Sequence, residues 1–227
     1  MGHPAVEGTR RPPDVVPCRA MDRRLVLATA RAAFTALALA AIGAQLAELA
    51  GRGVLNPVNF FSYFTIQSNL IGVASFLVAA AGWRRARSAA MDLFRGAAVV
   101  YLTVTLVVFA LLLSNTDVDT AVPWVNTVVH QVFPLAVIAD WLVDPPDEPI
   151  TFRRSLWWLV YPLAWVAYTL VRGPIAGWYP YPFIDPANGG YATVAGYVVA
   201  ILAFGIVLCA IVSAAGRMLG ARRTAVA

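Results

Sequence analysis

Lysine is missing from this 227-residue sequence, and all seventeen of its basic residues are arginine. That pattern suggests the coding bias of a GC-rich bacterial genome and carries no mechanism. Cysteine is nearly missing too, with Cys18 near the start and Cys209 inside the last apolar stretch. Two such positions offer neither metal-ligand spacing nor a disulfide framework. Charged residues make up 13% of the chain, against about a quarter in a soluble domain. There is no phosphate loop, nucleotide motif or metal cluster, so neither metal nor cofactor is expected. No repeat of solenoid period and no inverted repeat of the transporter type is present.

What the chain has instead is apolar sequence, 60% by composition, in blocks at approximately 25–50, 62–83, 93–113, 123–143, 155–172 and 192–216. A helical membrane span needs roughly 20 apolar residues. In lipid each backbone polar group must be satisfied internally, which leaves helices or closed barrels. Barrel strands alternate over ~10 residues, so these blocks predict helices. The expected class is an all-α polytopic membrane protein, a bundle of six transmembrane helices. Residues 1–24, polar and rich in Pro and Arg, read as a flexible tail, 25–216 as the membrane domain and 217–227 as a second tail. Ala38-Leu39-Ala40 mimics a signal cleavage site, but the block runs well past it and contains Arg31.

Fifteen arginines fall on the side of the two termini, and only Arg52 and Arg172 on the other. The positive-inside bias predicts both termini in the cytoplasm (N-in/C-in) of a multi-pass bacterial plasma membrane protein. Arginines at helix ends face anionic lipid headgroups, so the net charge of +5 does not point to nucleic acid. Membrane lipids are the expected partners. Gly196, Ala200, Ala203 and Gly205 in the last block suit close helix packing within the bundle rather than a dimer motif.

Polar residues inside apolar blocks need a reason to be there. In the second block Ser62, Thr65, Ser68 and Asn69 would share one helical face, as would Asn126 and His130 in the fourth. Thr65 and Asn126 lie roughly 6 Å in from the outer side, and Asn69 and His130 roughly 12 Å. Gln45, Glu48 and Arg172 fall in the same layer, so four helices bring polar groups to one depth. Pro134 cannot donate an amide to the His130 carbonyl, which predicts a local opening of that helix.

A threonine hydroxyl becomes a nucleophile when a base takes its proton, and burial favours the neutral imidazole that can do so. Thr65 with His130 is therefore a candidate dyad for acyl transfer from an ester. Asn69 or Asn126 could donate to the oxyanion, Glu48 could orient the imidazole, and Arg172 could hold a substrate carboxylate. A lipid-like ester would arrive by diffusing within the leaflet. The aromatic, proline-rich connection 173–191 could cap the site or act as an interfacial anchor.

Tyr63-Phe64-Thr65, Trp124-Val125-Asn126 through His130 to Pro134, and Tyr181-Pro182-Phe183 resemble motifs of the androgen-induced membrane protein family and its bacterial six-span relatives. The resemblance implies a threonine hydrolase of fatty acid esters of hydroxy fatty acids, with Thr65 and His130 as catalytic residues. The serine and asparagine after Thr65 follow the bacterial pattern, which allows a different substrate. Two other readings stand beside the enzyme: a small-molecule or proton carrier in which His130 titrates against Glu48 or Arg172, and a scaffold whose polar layer locks helix packing.

Overall fold

The computed structural model describes residues 18–114 and 122–226, with side chains from Arg23 to Ala221 within that range. His3, Arg10 and Arg11 of the N-terminal tail, and most of the third connection, lie outside the described residues. All regular structure among the described residues is helical, and six helices are long and apolar enough to cross a membrane. The protein is thus a multi-pass membrane protein.

Helix α1 (Cys18–Gly51) is the first span. The second is split into α2 (Pro57–Ser62) and α3 (Phe64–Ala81). The third is α4 (Ala89–Val108), continued by a π-helical turn Phe109–Leu113. The fourth joins α5 (Pro123–Thr127), a π-helical turn Val128–Val132 and α6 (Phe133–Val143). The fifth is α7 (Phe152–Ser155), a 3-10 turn Leu156–Leu159 and α8 (Val160–Ala176), and the sixth is α9 (Gly190–Val226).

These spans match the apolar blocks, with corrections at the ends. Residues 18–24, predicted as tail, are helical and belong to α1, a stretch that contains no proline. Residues 217–226 likewise continue α9. Helix starts are capped by short polar side chains: Asn56 accepts from the Asn59 amide, Ser88 from Met91 and Thr151 from Arg154. Gly177 ends α8 at φ 61°, where a side chain would be strained.

Two glycines set how closely the central helices approach. A Cβ on Gly72 would stand 2.7 Å from Leu102 and 2.8 Å from Phe133, and one on Gly96 would stand 2.3 Å from Trp158. Their absence lets α3, α4, α6 and the 3-10 turn before α8 pack around Phe76, Leu102, Phe133, Trp141 and Trp158.

At the end of the bundle where the chain begins, a buried ionic cluster ties α1, α4 and α6 together. Arg31 reaches Asp140 at 2.8 Å and Asp144 at 2.7 Å, Arg95 reaches Asp140 at 2.8 Å and Asp92 at 3.2 Å, and Arg87 pairs with Asp92 at 2.9 Å and with Asp144. Arg31 and Arg95 are 5% and 3% exposed. They therefore face aspartates and not lipid headgroups, contrary to the expectation for helix-end arginines. Burial by itself would raise the Asp144 carboxyl, but Arg87, with Arg31 and Arg95, holds it down to about 2. Removing one partner from such a cluster strands a buried charge, a loss of about 3–5 kcal/mol.

A candidate Thr–His site beneath an aromatic loop

The second span does not present one continuous polar face. Tyr63 is extended (φ −64°, ψ 128°) and breaks the helix, so Ser62 belongs to α2. There its hydroxyl bonds the Val58 carbonyl and Tyr168. Thr65 becomes the second residue of α3, where the backbone amides have no partner within the helix. The Thr65 amide instead donates to the Tyr181 hydroxyl at 3.0 Å.

Thr65 Oγ1 lies 3.2 Å from His130 Nε2 and 3.1 Å from Tyr181 Oη. The other ring nitrogen, His130 Nδ1, is 3.1 Å from the Asn126 carbonyl oxygen. A carbonyl only accepts, so Nδ1 carries the hydrogen and Nε2 presents its lone pair to the threonine hydroxyl. Tyr181 in turn accepts from the Thr65 amide and donates to Thr65 Oγ1. The proton sense is thereby fixed along the whole chain, from Tyr181 through Thr65 and His130 to Asn126. Phe109 stacks on the imidazole, with centroids 4.1 Å apart and planes at 19°, and holds its plane.

Pro134 acts on this site one residue away from where the sequence suggested. In the π-helical turn the Phe133 amide bonds Val128, five residues back. The same register would pair the Val129 carbonyl with residue 134, a proline without an amide. Asn69, fully buried, supplies what is missing: its Nδ2 donates to Val129 O at 2.9 Å and to Thr65 O at 2.8 Å. This one side chain bolts the start of α3 to the histidine turn.

Several expected roles need correcting. Asn69 spends both amide hydrogens on backbone carbonyls and cannot donate to an oxyanion. The Asn126 side chain does not line the cavity, and its Oδ1 makes no hydrogen bond; the residue contributes its backbone carbonyl. Glu48 is exposed and does not line the cavity above His130; the group on His130 Nδ1 is Asn126 O. Arg172 sits behind the rim, bonded to Asn59 at 2.5 Å and over the Trp178 ring at 5.4 Å.

Tyr181 is the residue that sequence reasoning left in the loop. It is 5% exposed, and burial pushes its phenol up to about 12, which keeps it a proton donor. Its ring stacks on Phe183 and meets Tyr63 edge-on, so the loop turns inward over the site. The available sign was the aromatic Tyr181-Pro182-Phe183 motif itself.

Above the dyad lies a cavity of about 200 Å³ lined by Gln45, Asn56, Asn59, Tyr63, Thr65, His130, Trp178 and Tyr181 among others. A second, apolar cavity of about 80 Å³ lies on the other side of Thr65 and Tyr181, among α4, α8 and α9. Among the described residues no group of three or more His, Cys, Asp or Glu is arranged to hold a metal. Comparison of the chain with protein-family models, curated proteins and solved structures yields no match.

Proposed function

We propose that the protein hydrolyses lipid esters, with Thr65 as nucleophile and His130 as general base. The supporting observation is the contact of Thr65 Oγ1 with His130 Nε2, whose polarity Asn126 O sets. A backbone carbonyl here does the orienting work of the acid in a serine triad. The resemblance to the androgen-induced membrane protein family points the same way.

Thr65 Oγ1 attacks the ester carbonyl as His130 Nε2 takes its proton, and the Tyr181 hydroxyl turns to the oxyanion. Collapse expels the alkoxide, which receives the proton from His130 and leaves an acyl-threonine. Water then enters, gives its proton to His130 and attacks the acyl carbon. Departure of the acid returns the proton to Thr65 Oγ1. In the same reading both termini are cytoplasmic and the site lies in the outer leaflet of a bacterial plasma membrane, a topology the fifteen-to-two arginine distribution supports.

The carrier reading has less support, since neither Glu48 nor Arg172 lines the cavity that His130 faces. The test is labelling of purified protein by a lipophilic fluorophosphonate, with hydrolysis of long-chain esters in parallel. Thr65→Ala should abolish both and His130→Ala should reduce both by at least about 10³-fold. Undiminished labelling of Thr65→Ala would eliminate the proposed nucleophile.

A further inference from the structure

Thr65, Tyr181 and Leu113 line both cavities, so the hydroxyl stands in a partition between two unlike chambers. One carries Gln45, Asn56 and Asn59. In the other, polar groups apart from Thr65 and Tyr181 are already engaged. Thr105 Oγ1 donates to Ser68 Oγ, and Trp165 Nε1 donates to Ser62 O. That chamber offers a bound molecule only hydrocarbon contacts.

We infer that the apolar chamber is an acyl-chain slot, and that Gly205 at its floor limits the length of chain it admits. This rests on the ester-hydrolase reading and adds to it the side on which the acyl half lies. A carbonyl at Thr65 can send an alkyl chain into the slot without desolvating any free polar group. The alcohol half then faces the polar cavity, where water for the second step also enters.

The slot runs along α9 from Val198 to Gly205, roughly 10 Å at the helical rise. Leu163, Val166 and Leu202 line its flank between α8 and α9. Leu163 is 44% exposed, so the flank opens sideways to the lipid, the direction from which a chain would come. At the floor, a Cβ on Gly205 would stand 3.0 Å from Leu159. Gly196, on the same helix, has no atom within 4 Å of its Cβ position and is not a lining residue. The small residue at 205 keeps the slot deep.

The experiment compares hydrolysis of butyryl, octanoyl and palmitoyl esters by the full chain in lipid nanodiscs. Gly205→Leu should lower the ratio of octanoyl to butyryl kcat/KM by at least about tenfold, a few methylenes' worth of lost burial, because a slot of roughly 10 Å takes a chain of about eight carbons. Val198→Phe, nearer the nucleophile, should lower the octanoyl ratio as well, and Gly196→Leu should leave the profile as in wild type. Val198→Phe carries the test if Gly205→Leu does not fold. In parallel, a fatty ester with a photoreactive terminal carbon is crosslinked to Thr65→Ala. Adducts at Leu159, Leu202 or Gly205 support the slot. Adducts confined to the exposed positions Val199, Ile206 and Ile211, or a chain-length profile unmoved by both blocking variants, overturn it. Failure of the hydrolase reading shows separately, as equal hydrolysis by wild type and Thr65→Ala, and leaves the crosslinking result standing.

Discussion

Asn69→Ala in a Pro134 background and without it isolates the joint that holds the site together. Asn69 donates to two carbonyls, and they are not equivalent. Thr65 O also accepts from Ser68 Oγ at 3.0 Å and stays satisfied, so its share is one net hydrogen bond, about 1 kcal/mol. Val129 O lies opposite a proline in the π register, and truncation strands it in the bundle at about 1–3 kcal/mol. The single variant should therefore lose about 2–4 kcal/mol. Pro134→Ala supplies an amide that can bond Val129 O from within the helix. In that background Asn69→Ala should lose only the smaller share, a coupling of about 1–3 kcal/mol between residues on different helices. The assay is a double-mutant cycle of reversible unfolding in mixed micelles, read by tryptophan fluorescence. Strict additivity would refute the claim that the proline orphans Val129 and that Asn69 answers it.

Two further outcomes are expected. Tyr181→Phe removes the hydroxyl that meets both the amide and the side chain of Thr65. It should lower kcat for ester hydrolysis by about 10²–10³-fold, with KM little changed; a KM effect alone would make Tyr181 a packing residue only. The ionic cluster should set acid sensitivity. Asp144 is depressed to about 2 from 3.8, so its contribution is complete above pH ~4 and is lost as pH falls toward 2, about 2–3 kcal/mol in all. Melting curves between pH 5 and 2 would show it, and Asp144→Asn should flatten that limb.

The polar residues stood out because a bilayer tolerates few, and the pairing of Thr65 with His130 followed from depths within about one helical turn of each other on the second and fourth spans. Six spans were legible for the same reason, since continuous apolar runs of bilayer length admit few other folds. What one-dimensional reasoning about depth could not resolve was direction. Glu48 and Gln45 share a depth, yet Gln45 is buried against the cavity and Glu48 is turned out, because helix rotation depends on packing partners distant in sequence. The same holds for Asn69, whose hydrogens go to carbonyls on two helices, and for Tyr181, which a connecting loop carries over the dyad.

Depth, length and composition were thus fixed by the chain alone, because the bilayer imposes them on any sequence. The break at Tyr63, the π register before Pro134 and the burial of Arg31 among aspartates were decided by contacts between helices. Only in the folded bundle do Asn126 O, His130, Thr65 and Tyr181 become one hydrogen-bonded line, since the fourth span, the second span and the loop before α9 each supply a part.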